Sequence, residues 1–245
     1  MSDQVTAAVL LIGNELLSGK TQDANLQFLG KELAALGIKL GEARVVRDEP
    51  DAIIAQLNEL RRRYTYVFTT GGIGPTHDDI TSECIAAAFG VPLELNQEAV
   101  QLVTRAGHEV NEARLKMARV PAGASLVANA VSQAPGFRIQ NVFVLAGIPR
   151  IARAMFEAAK PELTRGATIH ALSVDVFARE GDIAAPLQKI AETNSDVEIG
   201  SYPFARDGRF GASLVVRGTS PKRIESVMQD IVAAMSDLGE TERRD

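Results

Sequence analysis

TTGGIGPTHDDIT, running from Thr69 to Thr81, follows the apolar Tyr66-Val67-Phe68 and leads into a helical pattern that starts near Ile80. A strand that breaks at glycines and resumes as a helix is the connection expected of a βα unit. Gly71, Gly72 and Gly74 let backbone N–H groups approach an oxyanion without Cβ obstruction, and a helix N-terminus favours the same charge. Pro75 and Thr76 continue this candidate phosphate-binding segment. Asp78 and Asp79 would repel a bare phosphate, so their presence argues for a divalent cation bridging carboxylate and phosphoryl oxygens. The stretch is not a Walker loop, because Thr76, His77 and Asp78 stand where Gly-Lys-Ser/Thr would close the turn. A plainer reading makes one of the two carboxylates the N-cap of the helix, which leaves the other and the three glycines without a role.

Outward from this turn, residues 1–166 alternate strands and helices. Ala7 to Ile12, Ile38 to Val46 and Tyr66 to Thr70 read as strands. Leu26, Leu29, Leu33 and Leu36 recur at helical spacing before Gly37, and Pro50-Asp51 opens a second helix bearing Ile53, Leu57 and Leu60. A third helix reaches Phe89. A less regular helical region spans Gln97 to Met117, interrupted by Gly107, Phe137 to Leu145 reads as two short strands turning at Gln140-Asn141, and a helix follows around Ala152 to Ala159. The expected architecture is α/β, a three-layer, doubly wound, mainly parallel sheet. Beyond Thr164-Arg165-Gly166 the pattern changes, and residues 167–238 predict a small α+β domain of βαββα order. The charged segment 239–245 lacks apolar anchors and is expected to fray.

Composition narrows the function class. The chain is 46% hydrophobic and 23% charged, with a net charge of −5 and no long basic run, which disfavours a nucleic-acid surface. No apolar run approaches the ~20 residues that span a bilayer, and the start has no basic n-region, so no membrane association and a cytoplasmic location are expected. The single cysteine, Cys84, falls on the apolar face of a helix, where core filling is the expected role. Arg61-Arg62-Arg63 closes a helix and complements its dipole. His77, His108 and His170 lack ligand-like spacing.

In a doubly wound sheet the ligand crevice lies beyond the carboxyl ends of the strands. Three of these ends carry carboxylates. Gly13-Asn14-Glu15, running on to Ser18 and Gly19, follows the first strand, Asp48 follows the second, and Asp78 and Asp79 follow the third. Together Glu15, Asp48, Asp78 and Asp79 would offer oxygen ligands to Mg²⁺ or a similar hard cation, although Glu15 and Asp48 each also read as plain loop residues. Asn129, Pro135, Gly136, Gly147 and Pro149 sit in tight turns that are either pocket walls or simply turns. Lys20, Lys116, Arg119 and Arg150 are the basic candidates for phosphate contact.

Six segments then resemble, in family order, the molybdopterin-binding-like module of competence/damage-inducible protein A and the related molybdopterin adenylyltransferases. They are Gly13 to Asn25, Val45 to Asp48, Thr69 to Glu83, Met117 to Asn129, Ala134 to Gly136 and Leu145 to Pro149. The tail domain is similar to the second domain of the same proteins. The chain looks like a stand-alone version without the amidase domain, akin also to the N-terminal module of eukaryotic FAD synthase. The resemblance implies a nucleotide or pterin ligand, molybdopterin among them, and a homo-oligomer. In several members it also implies metal-dependent hydrolysis of the pyrophosphate in ADP-ribose or FAD. Asp48 and Asp79 match positions used for metal and catalysis, so the expected metal set is Asp48, Asp78 and Asp79 with Mg, Mn or Co. Adenylyl transfer to molybdopterin, or nucleotide or pterin binding without turnover, are the alternatives. The family pattern usually has Gln, Pro and Glu where this chain has Met117, Ala146 and Ile151.

Overall fold

The computed structural model of the chain describes residues 4–104, 111–206 and 208–244. Two compact units part after Gly166. In the first, β1 (Thr6–Ile12), β2 (Lys39–Val46) and β3 (Tyr66–Thr70) are linked by α1 (Asn14–Leu17), α2 (Asn25–Ala35) and α3 (Pro50–Arg63). There follow α4 (Thr81–Phe89), β4 (Leu93–Leu95), α5 (Gln97–Thr104), α6 (Glu112–Lys116), β5 (Arg119–Pro121) and β6 (Ser125–Val127). The unit closes with β7 (Gly136–Ile139), β8 (Val142–Leu145) and α7 (Pro149–Ala159).

The main sheet has the order β2-β1-β3-β8-β7-β6, parallel from β2 to β8 and antiparallel beyond. Period-two alternation sorts β1 between two cores. Ala7, Val9 and Leu11 pack with Leu29 and Leu33 of α2 and with Met155 and Phe156 of α7. Ala8, Leu10 and Ile12 pack with Ile53, Leu57 and Leu60 of α3 and with Cys84 and Ile85 of α4. A strand buried on both faces must be apolar throughout, which is why β1 and β8 read as unbroken hydrophobic runs. The edge strand β2 alternates exposed and half-buried positions instead. These layers are the expected three-layer, mainly parallel arrangement.

The irregular helical region expected from Gln97 to Met117 is α5 and α6 where the structure describes it; Gly107, expected to interrupt it, and His108 lie outside the described residues. The short strands β4, β5 and β6 were not foreseen. Three residues are too few to display a period of two, and β4 and β5 form only a two-stranded ribbon.

The second unit contains β9 (His170–Phe177), α8 (Glu180–Thr193), β10 (Glu198–Arg206), β11 (Arg209–Gly218), α9 (Pro221–Met235) and β12 (Glu240–Arg244). Its sheet is antiparallel in the order β10-β11-β9-β12, with Val174, Val176, Leu214 and Val216 packed against Ile183 of α8 and Val227, Met228 and Ile231 of α9. The expected βαββα therefore gains a strand, and the expected fraying of 239–245 is corrected over its described residues, which end at 244. β12 pairs with β9 from Glu240↔Phe177 to Arg244↔Ser173, and Arg209–Glu240 (2.7 Å) and Arg243–Glu225 (2.8 Å) ion pairs flank it. Main-chain pairing to an open sheet edge needs no apolar anchor, so composition could not reveal it.

Candidate functional site

The carboxyl ends of β1, β3 and β8 open on one cavity of about 500 Å³. One wall is Gly71 to Pro75 with Asp79. A second is Ala146 to Pro149 with Ile151 and Met155, from the end of β8 and the first turns of α7. Asn129, Ser132, Ala134 and Pro135 form a third, and Glu15 and Thr21 complete the lining. The crevice falls where parallel strand order predicts it.

The glycine turn is shaped by close packing. Gly71 lies at φ 104, and a Cβ there would stand 2.1 Å from the Ile12 carbonyl oxygen. The Thr81 hydroxyl donates to the Gly71 carbonyl at 2.9 Å and the Thr81 N–H to the Gly72 carbonyl at 2.9 Å, tying the turn to the start of α4. A Cβ on Gly74 would stand 2.6 Å from Asp79 Oδ2. That carboxylate accepts from the Thr76 N–H at 2.8 Å and from the Thr76 hydroxyl. Lys116 Nζ donates to the Thr76 carbonyl at 2.5 Å and braces the loop from α6. The N–H groups of Gly72, Ile73 and Gly74 have no acceptor among the described residues. Successive main-chain donors of this kind suit an anion.

Of the residues singled out from sequence, Glu15, Gly71, Gly72, Gly74, Pro75, Asp79, Asn129, Pro135, Gly147 and Pro149 line the cavity; Gly13, Asn14, Ser18, Gly19, Asp48, Thr76, Asp78 and Gly136 do not. Asp48 Oδ2 accepts from the Asn14 N–H at 2.8 Å, capping the single turn of α1. Ser18 and Gly19 close that turn through N–H bonds to the Asn14 and Leu16 carbonyls. Asp78 is exposed. The neighbouring Thr76 side chain, then its own peptide N–H, hold its carboxyl below the ordinary carboxylate range, with His77 and Lys116 adding to the effect. Gly136 packs under β8, where a Cβ would stand 2.4 Å from the Val144 carbonyl oxygen.

Asn129 lines the cavity but spends its amide on its own loop. Its Nδ2 donates to Ser132 Oγ and the Ala134 carbonyl, and its Oδ1 accepts from the Val131 and Ser132 N–H groups. Its role is to hold the third wall in shape. Thr21, Ile73, Ser132 and Met155 were missed from sequence. Met155 had a signal, since it follows Ile148 and Ile151 at helical spacing on one face of α7.

The carboxylates sort themselves differently from the expected set. Glu15 and Asp79 line the cavity, and no Lys or Arg is among the described lining residues. Lys20, Arg119 and Arg150 are exposed. Among the described residues no three His, Cys, Asp or Glu groups gather as a ready metal cage. A Mg²⁺-like ion needs only one or two carboxylates when substrate phosphates complete its shell, so the donors present fit a cation that arrives with its ligand.

A further acceptor lies behind this wall. Asn25, on the first turn of α2, is 3% exposed and donates from Nδ2 to the Gly147 carbonyl at 2.8 Å. Its buried Oδ1 accepts no hydrogen bond among the described residues. Leaving such an acceptor unpaired costs about 1–3 kcal/mol.

Residues 8–165 match the family described as probable molybdopterin binding domain, and residues 168–240 match the middle domain of FAD synthase. The chain is 33% identical over 195 residues to a protein of Archaeoglobus fulgidus, covering 80% of this chain and 84% of the relative. It is 30% identical over 261 residues to a probable FAD synthase of Caenorhabditis elegans, covering 94% of this chain and 50% of that protein's length. Among solved structures it is similar to the protein CinA, of unknown function, from Thermoplasma acidophilum. The TM-score there is 0.62 at 30% identity, covering 66% of this chain and 99% of that one.

Proposed function

This chain belongs to the probable molybdopterin binding domain family, and from that premise we propose that its first unit is a divalent-metal-dependent pyrophosphatase for dinucleotides of the ADP-ribose or FAD kind. The observation that carries the reading is the pairing of three N–H donors, at Gly72, Ile73 and Gly74, that have no acceptor among the described residues, with a cavity whose described lining holds two carboxylates and no Lys or Arg. Such a site attracts a diphosphate only together with a metal ion. Glu15 and Asp79 are the residues that would hold it. When bound, the ion supplies neutralisation of pyrophosphate charge and activation of water.

The chain's own groups do the rest. The loop N–H groups position the diphosphate, and Lys116 and Thr76 keep the loop in the shape that presents them. Ile73, Ala146, Ile148, Ile151 and Met155 give the cavity an apolar side suited to a flat heterocycle. Release of AMP from ADP-ribose or FAD with Mg²⁺, Mn²⁺ or Co²⁺ tests the proposal. Absence of AMP with all three metals refutes hydrolysis.

A second reading, a nucleotide- or pterin-binding module without turnover, is favoured by two observations. Asp48 and Asp78 lie outside the cavity, and Ile151 lines it where the family pattern usually has Glu. Calorimetric binding of FAD or a pterin without product selects it. Pyrophosphate release from ATP that depends on added molybdopterin would instead point to adenylyl transfer.

A further inference from the structure

Beside the main cavity lies a smaller chamber of about 50 Å³, bounded by Glu15, Thr21, Asp23, Thr70, Gly147 and Pro149 among others. Thr70 is the last residue of β3, paired between Leu11 and Leu145 in the middle of the sheet, and its strand neighbours on that face are Tyr66 and Phe68. It is 2% exposed. Its hydroxyl makes no hydrogen bond to a described residue, yet it is not sealed in as the Thr69 hydroxyl is, so the little of Thr70 that stays open faces the chamber. A hydroxyl set into an apolar layer costs free energy unless a partner reaches it. Here that partner must come from the chamber, and the charge of the chamber says which kind. Glu15 and Asp23 bring two carboxylates to it, and its described lining holds no Lys, Arg or His. Glu15 is shared with the main cavity, whereas Asp23 and Thr70 line the chamber alone. Asp23 Oδ1 accepts from the Leu26 N–H at 2.8 Å, which leaves Oδ2 for another partner.

We propose that this chamber is a resident divalent-cation site, in which Thr70 Oγ1 and Asp23 Oδ2 ligate Mg²⁺ or Mn²⁺ and waters complete the shell. The ion is distinct from the one that would arrive with a diphosphate between Glu15 and Asp79, and the inference does not depend on the pyrophosphatase reading. Donor type and size both support it. Hydroxyl and carboxylate oxygens are what a hard cation takes, and Mg²⁺ keeps several waters, so one Asp and one Thr suffice where no three acidic groups gather among the described residues. About 50 Å³ has room for an ion with two or three waters and none for a heterocycle. The position gives the ion a purpose. Thr70 directly precedes Gly71, so a cation there stands at the root of the glycine turn and offsets the charge of Glu15 on the shared wall, easing the approach of an anion to the turn.

The test is titration of the full chain with Mn²⁺ in the absence of nucleotide, free Mn²⁺ being read by electron paramagnetic resonance. Saturable binding of a single ion per chain, displaced by Mg²⁺, is expected. Thr70→Val and Asp23→Asn should each weaken it about tenfold or more, Thr70→Ser should retain it, and Asp79→Asn should leave it unchanged. Asp23→Asn keeps an acceptor for the Leu26 N–H, and circular dichroism checks that each variant folds. Should Thr70→Val unfold, Asp23→Asn decides. No saturable Mn²⁺ binding overturns the resident site and leaves the pyrophosphatase reading standing. Unchanged binding in either folded variant, or loss of binding in Asp79→Asn, puts the ion elsewhere and overturns the assignment. Absence of AMP release refutes hydrolysis alone, because the Mn²⁺ titration contains no nucleotide.

Discussion

Thr81→Val isolates the hydrogen bond that closes the glycine turn. Thr81 is fully buried, and its hydroxyl donates at 2.9 Å to the Gly71 carbonyl. Valine keeps the branched shape, so little packing is lost and the change falls on the donor. Losing the bond and leaving a buried carbonyl short of a partner should cost about 2 kcal/mol. For a unit of this size that lowers the unfolding midpoint by about 4–8 °C. Thr81→Ser is the control, because it keeps the donor and removes only a methyl, worth about 1 kcal/mol. Thermal unfolding followed by circular dichroism measures both. The reasoning fails if Val is as stable as wild type, or if Ser is the more damaging change, since either result would place the value of Thr81 in its methyl group. A consequence for function follows. The turn also positions the N–H groups of Gly72 to Gly74, so Thr81→Val should weaken nucleotide binding at temperatures well below its unfolding midpoint.

The remaining predictions concern the carboxylates and Cys84. Asp79→Asn retains an acceptor for Thr76 while removing a charge from the cavity, so a folded variant with at least tenfold lower AMP release is expected. Undiminished release would remove Asp79 from the mechanism. Asp48→Asn should leave nucleotide affinity within about threefold, because Asn keeps a side-chain oxygen to accept from the Asn14 N–H, whereas Asp48→Ala should cost about 1 kcal/mol of stability. A large affinity loss in Asp48→Asn would return that residue to the ligand site. Hydrogen bonds from Arg44 pull Glu59 down to about 2 and lower Glu42 as well. Depressed carboxylates stabilise the fold above their unfolded value, about 4.3, and lose that contribution as pH falls through the folded one. The unfolding midpoint should therefore fall between pH 4.5 and 2 (both approximate), and Arg44→Met should flatten the slope. Burial pushes the Cys84 thiol up to about 11, so a thiol reagent at neutral pH should modify it only after unfolding.

The layered fold was legible because its signals are periodic and long. β1 declares itself by an unbroken apolar run, and α2 and α3 by leucines and isoleucines three and four residues apart. What escaped is held by main-chain geometry instead of side-chain pattern. β12 is charged along its length and survives by pairing with β9, and β4 to β6 are too short to show a period. The candidate site divides in the same way. Strand order correctly brought Glu15 and the Gly71–Pro75 loop to one crevice with the Gly147–Pro149 turn. It could not say which way a loop carboxylate turns. Asp48 is drawn to the open N–H at the start of α1, and Asp78 stays in solvent while its neighbour Asp79 is drawn in by Thr76.

The three departures from the family pattern are unequal in consequence. Met117 is half-buried against Ala99, Val103 and Ala118, outside the cavity lining, so its effect is on packing beneath the wall that Ala134 extends. Ala146 and Ile151 line the cavity itself, and the Ala146 N–H donates to Met155 Sδ at 3.3 Å, which ties the end of β8 to α7. Replacing a carboxylate with isoleucine at this wall removes a negative charge where a ligand ring would lie. It also removes a group that needs water or a partner to stay ionised. The negative side of the cavity is thereby confined to Glu15 and Asp79, next to the donors of the glycine turn. On the nucleotide reading, charge recognition would be concentrated at one end and ring recognition at the other. Ile151→Glu should accordingly weaken binding of a flat-ringed nucleotide such as FAD far more than it weakens binding of the metal diphosphate alone. Equal loss for both would show that Ile151 acts on the loop and not on the ring.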